Sequence, residues 1–342
     1  MGSVITLSIL QNAMELGLIY ALVALALFLS FSILDIADLS TDGCFTLGCA
    51  VCASVTLAGH PLLALPAAMG AGVCSGFVTA FLQTKLGIRS ILAGIIVNTG
   101  LYTINIAVMG FASNLNLFAC ESVFTWAKEA VGGSFYKLIV AAALVVLTGA
   151  ALSLFLCTRL GLSIRATGDN PDMVRASGID TGRMVTIGLC IANALTALSG
   201  GLLAQYQKSC DISLGTGMVT IALASLIIGE TIIGKGTMRR CVAGVIIGSC
   251  LYRFLVAVAL RLSVPAECLK LVSAVIVAVA IALPHLKRQA AVLRQRKAAG
   301  EERKQYIREL SGEENRYEYG SSYESDADLK KCQQNILSGD RQ

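Results

Sequence analysis

Charge is scarce in this sequence of 342 residues, since only 14% of them are Asp, Glu, Lys or Arg, against about a quarter in soluble domains. Between Gly43 and Thr84 no charged residue occurs. Hydrophobic residues make up 55% of the chain. This composition argues against an ordinary cytosolic enzyme and predicts an all-α, polytopic bundle of transmembrane helices.

Signals for metal, redox and nucleic-acid binding are also weak. Most of the 12 cysteines lie inside apolar runs, where a thiol packs as a small hydrophobic group. Cys49 and Cys52 form a C-x-x-C pair, but the second pair or histidine cluster that a metal site needs does not accompany it. The net charge of +5 is spread over loops and tail and forms no face for a phosphate backbone. We predict no metal, no cofactor and no nucleic acid.

Apolar runs of about 20 residues, the length that crosses a bilayer as a helix, divide most of the chain into candidate spans. We predict nine, at approximately 13–33, 43–59, 62–82, 90–111, 137–157, 184–206, 217–234, 241–261 and 268–286. The second is short and follows the acidic stretch 35–42, and the seventh contains Glu230 and several glycines. Either can be broken or re-entrant, which is tolerated only where protein or a water-filled cavity covers the backbone.

Basic residues near the helix ends predict the orientation, because cytoplasmic loops carry the excess of Lys and Arg. One set of loops contains Lys85, Arg89, Arg159, Arg165, Arg175, Arg183, Lys235, Arg239 and Arg240. The opposite set contains Lys128, Lys137, Lys208, Arg261 and Lys270. We therefore predict an N-terminus outside and a C-terminus in the cytoplasm. Residues 1–286 form the predicted transmembrane domain, and 287–342 form a charged cytoplasmic tail, partly helical and then disordered.

The cytoplasmic loop 158–183 contains the signals of a short helix. Asp169 or Asn170 can cap its N-terminus, Pro171 fits the first helical position, and Asp172 suits the positive end of the helix dipole. A helix this short is unstable alone in water, so it must dock against something. It either caps the bundle at the membrane surface or couples the chain to a separate ATPase subunit.

The other end of this predicted helix is marked as clearly as its start. Arg175 lies towards the C-terminus, and Gly178 can adopt the left-handed conformation that ends a helix. Met173 is among the apolar side chains available for packing.

Two stretches of the sequence resemble a known family. Residues 164–171, Ile-Arg-Ala-Thr-Gly-Asp-Asn-Pro, continuing to 176–179, Ala-Ser-Gly-Ile, resemble the cytoplasmic loop of ABC-transporter permeases of the branched-chain amino acid and ribose type. Residues 33–43, followed by Phe-Thr-Leu-Gly at 45–48, are similar to the subgroup described as tryptophan/tyrosine-type uptake permeases. The resemblance extends over roughly 5–286 and leaves out the tail.

This resemblance implies an ATP-driven importer in a bacterial plasma membrane. It implies two permease subunits, here a homodimer, with cytoplasmic ABC ATPase subunits and an extracytoplasmic solute-binding protein as partners. The solute would be small, an amino acid by this resemblance, with aromatic ones favoured. The ATPase-coupling residues would be Arg165, Gly168, Asp169, Asn170, Pro171, Asp172, Met173, Arg175 and Gly178.

Polar residues inside the spans mark the candidate path, because they are costly in lipid and usually face a cavity or the bundle interior. Helical spacing places Asn98, Tyr102 and Asn105 on one face of a span, and Asn193 and Thr196 form a similar stripe in another. Both stripes can serve either as a path lining or as hydrogen bonds between helices. The broken-helix motif of the second span contains Asp38, Asp42 and Gly43.

The chain contains no ATP site of its own by sequence. Residues 229–236 match G-x-x-x-x-G-K but end in Gly where the Mg²⁺-coordinating Ser or Thr belongs. Glu230 and His60 lie near span ends, and no series of protonatable residues crosses the spans, so the energy is expected from a partner. The alternatives are a secondary carrier with a broken-helix site at 34–48, and a membrane scaffold or receptor whose tail is the working part.

Overall fold

The structure, a computed structural model, describes residues 7–132, 135–234 and 236–261, with isolated positions beyond 270. Residues 1–281 form one compact unit and 282–342 another, and everything below concerns the first. Its helices are α1 (Leu7–Leu27), α2 (Thr41–Leu57), α3 (Pro61–Thr84), α4 (Ser90–Val108), α5 (Val123–Val131), α6 (Tyr136–Leu156), α7 (Arg159–Asp169), α8 (Pro171–Ala176), α9 (Thr181–Gln207), α10 (Met218–Ile233) and α11 (Met238–Arg261). The same unit contains two short strands, β1 (Asn114–Asn116) and β2 (Ser209–Asp211).

The prediction of an all-α, polytopic bundle is confirmed. Within the described residues, six helices are long and apolar enough to cross a membrane, namely Ile9–Ile33, Pro61–Thr84, Ser90–Val108, Tyr136–Leu156, Thr181–Gln207 and Met238–Ala259. Two of the nine predicted spans, α2 and α10, are shorter helices of 17 and 16 residues. The span predicted at 268–286 and most of the predicted tail lie outside the described residues.

The first span does not run directly into the second. After α1 the chain continues as a π-helix, Phe28–Ile33, and then leaves helical geometry until α2 begins at Thr41. The Asp38 carboxylate accepts hydrogen bonds from the backbone N–H of Ser40 at 2.9 Å and from its hydroxyl at 2.6 Å. This local pairing holds the chain in a turn and starts α2 inside the bundle.

Helix α9 lies at the centre of the bundle, packed against α2 and α3 through glycines. A side chain at Gly48 of α2 would collide with the backbone of Ala197 in α9, and one at Gly72 of α3 would collide with the carbonyl of Asn193. In the reverse direction, a side chain at Gly200 of α9 would meet the carbonyl of Phe45. These glycines let the helix backbones touch, which is a common way for membrane helices to associate.

The opposite ends of the bundle differ in structure. One end gathers the α3–α4, α6–α9 and α10–α11 connections, which contain the basic loops. At the other end β1 and β2 pair antiparallel, with Asn114 opposite Asp211. Gln205 near the end of α9 accepts a hydrogen bond from the backbone N–H of Val123 in α5 at 3.2 Å. The two ends are therefore built from alternate connections, as an alternating membrane topology requires.

Candidate functional site

The two short helices meet at their N-termini inside the bundle. The carboxylate of Asp42 in α2 accepts hydrogen bonds from the backbone N–H groups of Gly217 and Val219 at the start of α10, both at 2.9 Å. The hydroxyl of Thr46 accepts another from the N–H of Gly215 at 3.1 Å. Helices of 16 or 17 residues extend about 25 Å, less than the hydrocarbon core of about 30 Å, so neither crosses it completely. The start of each is covered by the other.

A cavity of about 400 Å³ lies where these helix starts face α4. Five residues singled out from the sequence, Asp42, Gly43, Asn98, Tyr102 and Asn105, all contribute to its wall. The remaining lining residues are Thr46, Thr99, Thr103, Ile212, Gly215 and Thr216. Of these eleven lining residues, eight bear a hydroxyl, amide or carboxylate group.

Asn105 and Gly43 form the closed side of this cavity. Asn105 is 1% exposed, and its Nδ2 donates to the carbonyl of Gly43 at 3.1 Å. Its Oδ1 is buried and has no hydrogen-bond partner in the described part of the chain. A side chain at position 43 would collide with the Oδ1 of Asn98, so glycine lets α2 approach α4 here.

The open side of the cavity is the outer face of α4. Thr99, Tyr102 and Thr103 are exposed there, and 56% of Tyr102 is accessible. They lie in the middle of a span, where polar groups in contact with lipid are costly. This face therefore fits a water-filled space or the surface of another subunit better than it fits lipid.

The other predicted stripe lies elsewhere. Asn193 is 1% exposed, and its Nδ2 donates to the Asp38 carboxylate at 2.9 Å. The Thr196 hydroxyl donates to the carbonyl of Ala192 within its own helix. The structure brings Asn193 together with Asp38 but places neither of them, nor Thr196, in the wall of the cavity. Their predicted part in the path stays a prediction.

Sequence reasoning missed a buried carboxylate in α1. Glu15 is 2% exposed, and its oxygens accept hydrogen bonds from Nε2 of Gln11 at 2.9 Å and from the hydroxyl of Tyr206 at 2.8 Å. The ammonium group of Lys137 lies 4.7 Å from the centre of the Tyr206 ring. A glutamate inside an otherwise apolar first span was the signal that could have drawn attention to this cluster.

The short helix in the 158–183 loop forms where the sequence predicted it. The Asn170 side chain caps α8 by accepting from the N–H of Met173 at 3.0 Å, Pro171 is the first helical residue, and Gly178 has a φ of +80°. Of the two proposed capping residues, Asn170 is the one used, because Asp169 ends α7. The predicted helix boundaries are therefore confirmed.

The side chains of α8 divide between two environments. Met173 is 57% exposed, whereas Val174 is buried against the bundle. Arg175 donates from its Nε to the hydroxyl of Thr181 at 3.0 Å and lies 3.7 Å from the Asp172 carboxylate. The helix is thus fixed to the start of α9 while it presents an apolar side chain outwards.

Helix α7, which precedes α8, packs closely on the end of the π-helix. A side chain at Gly168 would collide with the carbonyl of Ile33. Arg165 and Asp169 line a small cavity of about 170 Å³ together with Glu230, whose carboxylate accepts a hydrogen bond from Ser32 at 2.8 Å. Across the ranges that the structure describes, no group of three potential metal-ligating side chains occurs.

Comparison with known proteins gives a consistent result. A family model described as the permease component of a branched-chain amino acid transport system matches residues 9–282. The chain is 35% identical to the tyrosine transport system permease protein of Clostridioides difficile (strain R20291) over 276 residues, which cover 80% of this chain and 91% of that protein. It is 27% identical to the ribose import permease protein RbsC of Escherichia coli (strain K12) over 226 residues, 64% of this chain and 67% of the relative. No solved structure matches.

Proposed function

The chain belongs to the family of branched-chain amino acid transport system permease components, and on this premise we propose that it works as the membrane-spanning subunit of an ATP-driven amino acid importer. It is a multi-pass plasma-membrane protein and a transporter subunit, not an enzyme. The proposal adds an ATPase partner, a solute and a path through the membrane.

Coupling to the ATPase is assigned to the cytoplasmic segment α7–α8. Helix α8 is the observation that carries this proposal, because this helix of 6 residues is held in place by the bundle and still presents an apolar side chain outwards, where a partner could cover it. Its cap, its bond from Arg175 to Thr181 and its contact through Val174 fix it to the bundle, while Met173 remains exposed. Cytoplasmic ABC ATPase subunits would bind this outer face.

The orientation that this role needs follows from the positive-inside rule. The α7–α8 segment shares an end of the bundle with the basic connections between α3 and α4 and between α10 and α11. We propose that this end is cytoplasmic and that β1, β2 and α5 face outwards, where an extracytoplasmic solute-binding protein would dock. An N-terminus outside, nine spans and a cytoplasmic C-terminus complete the proposal.

The path is assigned to the cavity between α2, α4 and α10. Its polar, exposed face on α4 would be covered by the same face of a second copy, so that two chains enclose the path between them. ATP binding would shift this dimer between an outward-facing and an inward-facing arrangement of the cavity. The solute would cross the membrane by this alternating access. The solute is proposed to be an amino acid, since one relative is named for tyrosine transport.

Affinity purification from the native membrane in mild detergent tests the coupling. We expect an ATPase subunit to copurify with the intact chain. Asn170→Gly combined with Pro171→Gly unwinds the start of α8, and we expect the ATPase to be lost from that variant. A matched control, His60→Gly combined with Pro61→Gly, changes the capping position and the first proline of α3 at the opposite end and should retain the ATPase.

A chain that purifies alone and still moves solute in liposomes would show that the importer proposal is wrong. The meeting of two discontinuous helices at Asp42 is also the geometry that a secondary carrier would use, so that result would favour the carrier.

A further inference from the structure

The cavity between α2, α4 and α10 is lined by a carboxylate and by several oxygen atoms that can accept hydrogen bonds. Among its lining residues only Asp42 carries a charge in the part of the chain that the structure describes. The hydroxyl protons of Thr46 and Thr99 are directed to carbonyls of their own helices, on Asp42 at 3.3 Å and Ile95 at 2.9 Å. The Thr46 oxygen also accepts the N–H of Gly215 at 3.1 Å, which leaves it one lone pair, whereas both lone pairs of the Thr99 oxygen remain available to a ligand.

The Asp42 carboxylate is only partly used by the protein. Each of its two oxygens accepts one backbone N–H, from Gly217 or from Val219. A carboxylate oxygen can accept about two hydrogen bonds, so one site on each oxygen is left over. The carboxylate is thus held in a fixed orientation by α10 and keeps capacity for a further donor.

Asn105 supplies a second, independent acceptor at the closed side of this cavity. It is 1% exposed, and its Oδ1 has no hydrogen-bond partner among the described residues. Leaving a buried acceptor unpaired costs about 1–3 kcal/mol. The bond from its Nδ2 to the carbonyl of Gly43 fixes the amide, so the side chain is held in this orientation. A donor that enters the cavity would satisfy it.

We propose that this cavity binds the ammonium group of the transported solute, between the Asp42 carboxylate and the Oδ1 of Asn105. An ammonium group carries three donors and a positive charge, which match the anionic Asp42 carboxylate and the oxygen acceptors beside it. A free carboxylate would be repelled by Asp42, and a neutral sugar would gain no ionic attraction. The inference rests on the proposed transport function and specifies the chemical class of the solute as a primary amine.

Binding to the full-length chain in lipid nanodiscs tests this assignment. The probes are radiolabelled L-tyrosine, L-tryptophan and L-leucine, and the competitors for tyrosine are tyramine, 3-(4-hydroxyphenyl)propionate and D-ribose. We expect at least one amino acid to bind and the amine without a carboxylate to compete. We expect 3-(4-hydroxyphenyl)propionate, which lacks the amine, and D-ribose not to compete. Equal competition by the acid, preferential binding of ribose, or no binding of any probe would each overturn the proposal.

Substitution then locates the site. Asp42→Asn keeps the shape and an acceptor for α10 but removes the charge, and we expect the amino acid affinity to fall by about 10- to 100-fold. Glu15→Gln removes a different buried carboxylate, outside the cavity, and should leave the affinity unchanged. Equal loss in both variants would overturn the assignment. If Asp42→Asn does not fold, the competitor series on the unaltered chain decides alone.

The same preparation separates failure of this site from failure of the proposed function. If the ATPase copurifies but the acid competes as well as the amine, only the ammonium site is wrong. If no ATPase copurifies but the amine still competes selectively, the site stands and the importer proposal fails.

Discussion

Helices α9 and α4 look alike in sequence and are used in opposite ways. Both are apolar spans with a stripe of amide and hydroxyl side chains. In α9 the stripe lies in the packed centre, where Asn193 bonds Asp38 and Ser199 bonds the carbonyl of Ile19 at 2.7 Å. In α4 most of the stripe faces the cavity, with Tyr102 and Thr99 exposed.

The difference shows that a polar stripe acquires its role from what packs against it. Around α9 the neighbouring backbones touch through glycine, so the donors of its polar side chains bond within the protein, as the Nδ2 of Asn193 bonds Asp38. Around α4 the neighbours stop short and leave a cavity, so polar groups remain available to a solute. Four pairs of substitutions probe this contrast, each with one member on the packed side and one on the open side.

The largest effect is expected from filling a glycine contact. Gly48→Val in α2 would push its side chain into the backbone of Ala197, which cannot move without displacing α9. We expect a loss of about 3 kcal/mol or more in the free energy of unfolding, seen as loss of monodisperse protein in detergent. Gly100→Val in α4 is the control, because the described residues leave open space around it. Equal losses would show that the packing difference is not real.

An intermediate effect is expected from replacing amides. Asn193→Leu removes a donor to the buried Asp38 carboxylate, and we expect about 2–3 kcal/mol of destabilisation in denaturant-induced unfolding. Asn98→Leu in α4 should change stability by less than about 0.5 kcal/mol and yet reduce solute uptake. If Asn98→Leu were the more destabilising of the two substitutions, the polar stripe of α4, and not that of α9, would be the one that holds the bundle together.

A smaller effect is expected at Tyr206, the partner of Glu15. Tyr206→Phe removes one of the two side-chain donors to that buried carboxylate, and unfolding measurements should show a loss of about 1–2 kcal/mol. Tyr102→Phe removes an exposed hydroxyl from α4 and should fall within about 0.5 kcal/mol of the unaltered chain. A neutral Tyr206→Phe would mean that water replaces the hydroxyl, and that this end of α9 is wetter than the packing indicates.

The smallest effect is expected where both helices use a hydroxyl in the same way. Thr196 and Thr99 each donate to a carbonyl four residues earlier in their own helix. Thr196→Val and Thr99→Val should therefore differ by no more than about 0.5 kcal/mol in thermal unfolding of the purified chain. A larger loss at Thr196 would reveal a bond between helices at that position.

The sequence was informative wherever the signal is local. Asn170, Pro171 and Gly178 predict the boundaries of α8 because a cap, a fixed φ and a left-handed residue act within one or two turns. The second span could likewise be recognised as incomplete by its length, and the seventh by Glu230 and its glycines. Contacts between distant segments could not be predicted from the sequence. Asp38 is hydrogen-bonded to Asn193, which is 155 positions away, and Asp42 to the backbone of Val219, which is 177 positions away. No local pattern distinguishes those partners from other polar residues, so the cavity became recognisable only in the fold.

The contact between Gly168 and the carbonyl of Ile33 has a mechanical consequence. Both sides of this contact are main chain, so no side-chain rotation can absorb a displacement of α7. Ile33 is the last residue of the π-helix, and nine positions further along the chain Asp42 holds the start of α10. The α7–α8 segment and the Asp42 side of the cavity are thus joined in series by one stiff contact and a short length of chain. A displacement of α7 is therefore transmitted as strain to the wall of the cavity.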